Sequence, residues 1–225
     1  MREDICTIPI SEGFEPMDGC PLCRLREMLE ERVATYITGA AMMEPDVRIE
    51  TNKLGFCHAH YRRLLAQRKR LSVALMLQSH LAEIEKTAFS TGLSGKPKKV
   101  KEKAETCYSC SEIEKNMQRF AANICRLWER EPDFRRLYAA QPVLCLPHSR
   151  LLGAAAADNL PKKLQAEFTK QTAALAQQYL TVLQEDVSHF CKMFDYRNSG
   201  SDADWGNSRD AVERAIWFLT AETVE

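Results

Sequence analysis

The sequence has no excess of charge of either sign, since 31 Lys and Arg residues balance 31 Asp and Glu residues. This balance argues against a protein that binds nucleic acid over its whole surface, because such proteins are usually strongly basic. Long apolar runs are also missing; the longest, from Leu151 to Ala157, is too short to cross a bilayer. No apolar signal segment follows the acidic start of the chain, so we expect a cytoplasmic protein without a membrane segment.

The sequence also lacks the common catalytic motifs. It contains no glycine-rich phosphate loop, no GxSxG motif and no HExxH motif. These absences favour a protein without catalytic activity, although they leave the question of an enzyme open.

Cysteine, in contrast, is abundant. Nine cysteines in a reducing compartment are unlikely to form disulfides and need another explanation. Six of them form two CxxC…CxxH patterns, each with one histidine. The first comprises Cys20, Cys23, Cys57 and His60, and the second comprises Cys107, Cys110, Cys145 and His148.

The two patterns belong to an internal repeat. The second begins 87 residues after the first, and Glu-Pro-Asp-Val-Arg at 44–48 recurs at the same offset as Glu-Pro-Asp-Phe-Arg at 131–135. Such self-similarity predicts a duplicated structural unit. We therefore divide the chain into a first repeat at 1–93, a basic linker at 94–106, a second repeat at 107–196, and a C-terminal loop and helix at 197–225.

Each repeat is predicted to form a metal site of its own from three cysteines and one histidine. A CxxC or CxxH motif at a helix N-terminus places two ligands on the same side of the first turn, where backbone N–H groups stabilise thiolates. A closed Cys3His set is typical of structural zinc, so we expect two zinc ions, with iron–sulfur as the alternative. His58 could compete with His60, but position 58 matches Leu146 in the second repeat, whereas position 60 matches His148.

The periodicity of apolar residues predicts an all-α fold. Helices are expected after Cys23 and Cys110, over Tyr61 to about Phe89, over Leu164–Phe194, and from Asn207 or Ser208 onward. The expected apolar faces include Leu71, Leu75 and Leu81 in one helix, Val182 and Phe194 in the next, and Val212, Ile216 and Leu219 in the last. Only Thr7 to Ile10 is expected to be extended.

Three cysteines, and two histidines besides His58, fall outside the repeated pattern. Cys125 and Cys191 lie beside apolar positions, which favours burial over reactivity, and Cys6 has no counterpart. His80 and His189 lie within predicted helices and are interpreted as structural residues.

A second candidate site lies near the C-terminus and would bind a ligand or a partner. Its residues are Asp195, Tyr196, Arg197, Trp205, Asp210 and Arg214. The alternative interpretation is that these residues fix the last helix to the body of the protein through a Trp anchor and Asp–Arg hydrogen bonds.

Several of these motifs occur together in one known family. The segment CPLC at 20–23, GFC followed by His60, and FDYRN…WGNSRDAVERAI at 194–216 resemble a bacterial family catalogued only as a domain of unknown function. The resemblance implies a helical protein with metal-type Cys/His motifs and no assigned activity. The second repeat departs from this pattern, because it lacks Pro after Cys107 and Gly two residues before Cys145.

Three functions remain open at this point. The first is a zinc-stabilised helical scaffold that binds an unidentified protein or small molecule. The second is a thiol and zinc redox sensor. The third, and least favoured, is a regulator that binds nucleic acid through the lysine-rich linker.

Overall fold

The computed structural model describes residues 7–86, 107–194 and 204–223. Within these ranges the chain forms ten α-helices and one short 3₁₀ helix, Ala40–Met43, and no β-strand. The helices are α1 (Ile8–Phe14), α2 (Pro21–Thr38), α3 (Pro45–Leu54), α4 (His58–Ala66), α5 (Arg70–Ile84), α6 (Tyr108–Arg130), α7 (Pro132–Ala139), α8 (Leu146–Asn159), α9 (Lys162–Met193) and α10 (Ala211–Thr220). The predicted all-α class is confirmed. None of the helices in the described part of the chain combines the length and apolar composition needed to cross a membrane.

The order of helices is the same after each CxxC motif. A long helix (α2 or α6) is followed by a short one that starts at a proline (α3 or α7), and then by a helix that starts next to the CxxH motif (α4 or α8). Proline suits the first turn because its missing N–H would have no partner there. This order is consistent with the predicted duplication.

The chain divides into two compact units at boundaries that differ from the sequence-based ones. The continuous unit comprises Arg26–Met117, and the discontinuous unit comprises Met1–Leu25 together with Gln118–Glu225. Both boundaries fall inside helices, α2 and α6, rather than in the linker. The predicted linker at 94–106 lies outside the described residues.

The core of the continuous unit is aliphatic. Five buried side chains form it: Ala34, Ile37, Leu64, Val73 and Met76. They come from α2, α4 and α5, so these three helices bury their apolar sides together. Helix α5 also packs against α3.

The core of the discontinuous unit is aromatic. Phe14, Trp128, Phe134, Tyr138 and Phe168 are fully buried and contact one another with ring centroids 5.1–6.4 Å apart. Large rings of this kind bury much apolar area and prefer tilted or edge-to-face contacts. Helix α9 packs along α8 and α10 beside this core.

One predicted element type and one predicted helix start are wrong. Residues Ile8 to Ile10, expected to be extended, begin helix α1, because Pro9 is accepted in its first turn and Ile10 and Phe14, four residues apart, are both buried. The last helix begins at Ala211 with Asp210 as its N-cap residue, and not near Asn207. The Ser208 hydroxyl instead donates to the Trp205 carbonyl.

Several predicted apolar faces are also corrected. Leu71, Leu75 and Leu81 of α5 are exposed, since α5 turns Val73 and Met76 toward the core. On α9, Val182 is exposed and Leu183 is buried, and Phe194, the C-cap residue of this helix, is also exposed. The exposed residues of α10 include Val212, Ile216 and Leu219, and its buried residues are Ala211 and Phe218. Phe89, the expected end of the α5 region, lies outside the described residues.

Candidate metal centres

The structure brings the eight motif residues into two groups of four. Cluster A contains Cys20, Cys23, Cys145 and His148, and cluster B contains Cys57, His60, Cys107 and Cys110. In each cluster all ligand atoms lie within 4.8 Å of one another, so each group could hold a metal ion. The expected pairing within each repeat is not found. Each cluster instead combines the CxxC motif of one repeat with the CxxH motif of the other.

Each cluster is built at two helix N-termini, as the motifs predict. Cys20 and Cys107 directly precede α2 and α6, and Cys57 and Cys145 are the N-cap residues of α4 and α8. The fourth residue of each motif then lies in the first turn and points back toward the first. The positive end of each helix dipole therefore faces the sulfur atoms.

In cluster A the imidazole of His148 directs its Nδ1 atom at the three sulfur atoms. This nitrogen lies 3.7 Å from Cys20 Sγ, 3.4 Å from Cys23 Sγ and 3.1 Å from Cys145 Sγ. The Sγ atoms of Cys23 and Cys145 are 3.7 Å apart.

Cluster B has nearly the same geometry. Nδ1 of His60 lies 3.0 Å from Cys57 Sγ, 3.3 Å from Cys107 Sγ and 3.4 Å from Cys110 Sγ. The Sγ atoms of Cys57 and Cys110 are 3.9 Å apart.

These distances fit a single tetrahedral ion. With metal–sulfur bonds of about 2.3 Å and a metal–nitrogen bond of about 2.0–2.1 Å, a tetrahedron places sulfur atoms about 3.8 Å apart and sulfur and nitrogen about 3.6 Å apart. The distances given above run from 3.0 to 3.9 Å, so each lies within about 0.6 Å of its tetrahedral value. Small shifts of the side chains would bring the donors to the spacing of a bound ion.

One backbone hydrogen bond helps to explain the crossed pairing at cluster B. The amide N–H of Tyr108 donates to the carbonyl oxygen of Gly55 over 2.9 Å, which brings the start of α6 to the segment before Cys57. The matching residue in the first CxxC motif is Pro21, which has no N–H to donate. The carbonyl of Gly55 can therefore pair with the second CxxC motif and not with the first.

The surroundings of cluster B shift the pKa values of two of its thiols in opposite directions. Burial opposes ionisation of Cys107, but hydrogen bonds with His60 and with the Cys110 N–H lower the pKa of this thiol to about 6. Burial and the neighbouring charge of Cys107 raise the pKa of Cys110 to about 12. Burial would lower the pKa of His60, yet hydrogen bonds with Cys107 and Glu30 raise it to about 10.

Cluster A shows the same competition. Burial opposes ionisation of Cys20, but hydrogen bonds with Cys145 and Cys23 lower the pKa of this thiol well below its usual range. The hydrogen bond with Cys20 raises the pKa of Cys145 to about 12, and hydrogen bonds with Cys145 and Cys20 raise that of Cys23. A divalent cation bound to a cluster would favour the thiolate form of the cysteines that coordinate it.

Cluster B has an additional partner that lies outside its two motifs. Nε2 of His60 lies 2.9 Å from Oε2 of Glu30, and Arg63 Nε lies 3.5 Å from the same carboxylate oxygen. Burial opposes ionisation of Glu30, but the hydrogen bond with His60 and the charge of Arg63 lower the pKa of its carboxyl group. A carboxylate behind a ligating imidazole fixes the ring orientation and is a common feature of metal sites.

Cluster A has no such carboxylate in the described ranges, where no hydrogen bond to Nε2 of His148 is found. At the repeat offset of 87, Glu30 corresponds to Met117, an apolar and buried residue. The position of Glu30, seven residues after Cys23 and thus on the same side of α2, is the one signal in the sequence that could have indicated it.

The comparison with protein families decides what the chain is related to. The model of a family of unknown function, DUF6062, matches residues 1–225. The chain belongs to this family. The resemblance inferred from the motifs to a domain of unknown function is thus confirmed, and no activity comes with it. No curated protein and no solved structure matches this member of the DUF6062 family.

The other cysteines and histidines of this DUF6062 protein lie outside the clusters. Cys125 is fully buried, and burial raises the pKa of its thiol to about 12, whereas Cys191 is exposed, contrary to expectation. His58 is exposed and belongs to neither cluster. His80 Nδ1 lies 2.7 Å from the Asn52 carbonyl oxygen, and Cys6 lies outside the described residues.

The described part of the C-terminal candidate site holds α10 in place. Asp195, Tyr196 and Arg197 lie outside the described residues. Trp205 contacts the rings of Phe190 and Phe194, with centroids 5.7 and 5.8 Å away. Arg214 pairs with Asp186 on α9 and with Asp210, each over 2.9 Å. A role of these residues in ligand binding remains a prediction.

Proposed function

We propose that this protein is a zinc-binding helical scaffold, in which two structural Cys3His sites hold together helix ends that are far apart in the sequence. The proposal depends on one observation: eight motif residues converge in two separate sets of four with the spacing of a tetrahedral ion. The scaffold would present its helices to a protein or small-molecule partner. A reducing, cytoplasmic location is part of the proposal because it keeps the thiols free to bind metal.

The donor atoms favour zinc over an iron–sulfur cluster. Three thiolates and one imidazole are a common structural zinc set. The 4.8 Å span of each donor set suits one ion. A cluster of several irons would hold its ligands further apart, because iron and sulfide ions lie between them.

Metal analysis of the full chain tests this proposal. We expect about two equivalents of zinc in the wild type and about one in each of the variants Cys57→Ser and Cys145→Ser, because a structural site requires its full ligand set. The control is Cys191→Ser, which removes an exposed thiol outside both clusters and should leave two equivalents. A wild-type protein that folds without metal and binds none would refute the proposal.

A redox sensor is the second candidate, and the exposure of Cys110 beside Cys57 favours it. In this function hydrogen peroxide oxidises the two thiols to a disulfide and is itself reduced to two molecules of water. We expect release of one zinc equivalent by low peroxide, with recovery after reduction. Sites that keep their zinc under these conditions would argue for a purely structural role.

Nucleic-acid binding through Lys96, Lys98, Lys99, Lys101 and Lys103 stays a prediction, because these residues lie outside the described ranges. Deletion of residues 96–103 should abolish binding to DNA or RNA at low salt if this function is present.

A further inference from the structure

The two clusters differ in how far their ligands are buried. In cluster A the exposed fraction is 2% for Cys20, 0% for Cys145 and 3% for His148, and Cys23 is half-buried. In cluster B, Cys110 is exposed. Cluster B therefore offers an incoming reagent one exposed ligand residue, which cluster A lacks, although the donor atoms of the two clusters are the same.

Cluster B has one accessible edge and one protected edge. Cys110 and the half-buried Cys57 form the accessible edge, with their sulfur atoms 3.9 Å apart. Cys107 and His60 form the protected edge; their exposed fractions are 7% and 8%.

The protected edge is also held by hydrogen bonds outside the donor set. Glu30 accepts from Nε2 of His60 over 2.9 Å, and Arg63 lies behind this carboxylate. The N–H of Cys110 contacts Cys107 Sγ over 3.4 Å, so the backbone of the first turn stabilises this sulfur even when the Cys110 side chain moves. Rotation of Cys110 away from the site therefore leaves His60 and Cys107 supported.

We propose that cluster B is an exchangeable metal site, which gives its ion to and takes it from thiol ligands by replacement of Cys110, while cluster A retains its ion. This inference rests on the proposed zinc binding. The acceptor is any molecule that offers a thiol, whether a small molecule or a cysteine of another protein.

The exchange step involves no change of oxidation state. The bond between the ion and Cys110 Sγ breaks, a bond between the ion and the incoming sulfur forms, and the proton of the incoming thiol ends on Cys110 Sγ. Cys57, the second ligand of the accessible edge, is replaced next. His60 and Cys107 hold the ion until the acceptor has two or more donors in place.

Zinc transfer from the loaded full chain to a chromogenic chelator tests the exchange. We expect two phases of one equivalent each, with the faster one at least about tenfold faster than the other. Reduced glutathione, as the probe thiol, should accelerate the fast phase only. Cys57→Ser should remove the fast phase, and Cys145→Ser should remove the slow one.

Alkylation by N-ethylmaleimide locates the ligand that leaves first, and it does not depend on the folding of a variant. In the zinc-loaded wild type, peptide mapping should find Cys110 modified in step with the release of one equivalent. Cys191, exposed but outside both clusters, is the internal control and should react without zinc release.

The outcomes separate this inference from the proposed function. If the purified protein binds no zinc, both the proposed function and the exchange proposal are wrong. Two bound equivalents that leave at one rate, or modification of Cys20 or Cys145 before Cys110, would overturn the exchange proposal and leave structural zinc binding intact. The acceptor thiol could come from a small molecule or from a protein, and a cysteine-containing peptide in place of glutathione distinguishes these sources. If the peptide and glutathione accelerate zinc release equally at equal thiolate concentration, only the thiol is recognised.

Discussion

Glu30 and Met117 occupy matching positions of the two predicted repeats, each seven residues after the second cysteine of a CxxC motif. The carboxylate of Glu30 accepts a hydrogen bond from Nε2–H of His60, so Nδ1 is the ring nitrogen that faces the sulfur atoms. Nothing comparable is possible for a methionine side chain. The two sites therefore differ in the support of their histidine as well as in exposure.

The substitution Glu30→Gln should weaken zinc binding at cluster B by about 10- to 100-fold, because the imidazole loses its charged partner. Cluster A should keep its affinity. Competition with a chelator of known affinity measures both sites in one titration. The control is Glu27→Gln, which removes the exposed partner of Arg63 and should change neither affinity. An equal effect of both variants would argue against the positioning role of Glu30.

Gly55 is a second residue whose role depends on its position. Its backbone has φ +64° and ψ −159°, a region that side chains of L-residues rarely adopt, and a Cβ atom here would lie 2.6 Å from Nε2 of His80. The residue also accepts the hydrogen bond from Tyr108. Backbone shape and close packing therefore both favour glycine at this position.

We expect Gly55→Ala to lower the free energy of unfolding by about 3 kcal/mol, from backbone strain and the clash together. Gly206 is the matched control: it also has positive φ, but a Cβ atom there would meet nothing within 4 Å. Gly206→Ala should cost about 1 kcal/mol. Chemical denaturation compares the two, and equal costs would show that His80 tolerates the added carbon.

At the scale of the elements, helix α10 is fixed by a few side chains. Phe218 is buried and contacts the ring of Tyr179 of α9 in a tilted arrangement at a centroid distance of 5.7 Å, and Trp217 meets the same ring edge-on. Arg214 adds the ion pair with Asp186. The apolar residues Val212, Ile216 and Leu219 contribute little to this packing because they are exposed.

Phe218→Ala should therefore destabilise the protein by about 3–5 kcal/mol, the usual cost of removing a buried aromatic ring. Leu219→Ala, a truncation of the exposed neighbour, should stay within about 0.5 kcal/mol of the wild type. Hydrogen exchange of the α10 amides gives a local measurement beside the unfolding curve. Similar protection of the α10 amides from exchange in both variants would contradict the role of Phe218 in fixing this helix.

Periodicity predicted the longer helices α2, α5, α6 and α9 and the last helix α10, but not the short helices α1, α3 and α7. It also predicted the buried face poorly in α5 and α10. The spacing of the leucines at 71, 75 and 81 predicts one apolar face of α5. This helix also carries apolar residues on other faces, including Val73 and Met76, so the sequence of α5 alone does not decide which face is buried. Which side is buried depends on what α3 and α4 present to it, and this information is not local. The prediction of an extended segment over Thr7–Ile10 is wrong for a different reason, because proline permits a first helical turn as well as an extended segment.

At the scale of the whole molecule, the eight ligands were predictable from motif spacing, whereas their pairing was not. Pairing within the repeats and pairing between them use the same residues and give the same Cys3His composition. The choice depends on which helix ends meet, as the bond between Tyr108 and Gly55 illustrates. The missing N–H of Pro21 was a weak sign of this choice in the sequence.

Double variants distinguish the two pairings directly. With the crossed arrangement, Cys23→Ser combined with Cys145→Ser affects cluster A alone, so about one zinc equivalent should remain. Cys23→Ser combined with Cys57→Ser should remove both equivalents. Pairing within the repeats predicts the opposite result for these two proteins. Zinc analysis beside circular dichroism separates loss of ligands from loss of fold.

The crossed arrangement also makes one closed loop lie inside another. Cluster B joins residues 53 apart, from Cys57 to Cys110, and this segment lies within the 122 residues that separate Cys23 from Cys145. Closing the 53-residue loop costs about 0.7 kcal/mol less chain entropy than closing the 122-residue loop. Once the shorter loop is closed, the flexible length of the longer loop is reduced. During synthesis from the N-terminus, cluster B has all its ligands once Cys110 has left the ribosome, whereas cluster A must wait for His148. The site that is assembled first is thus also the more accessible one.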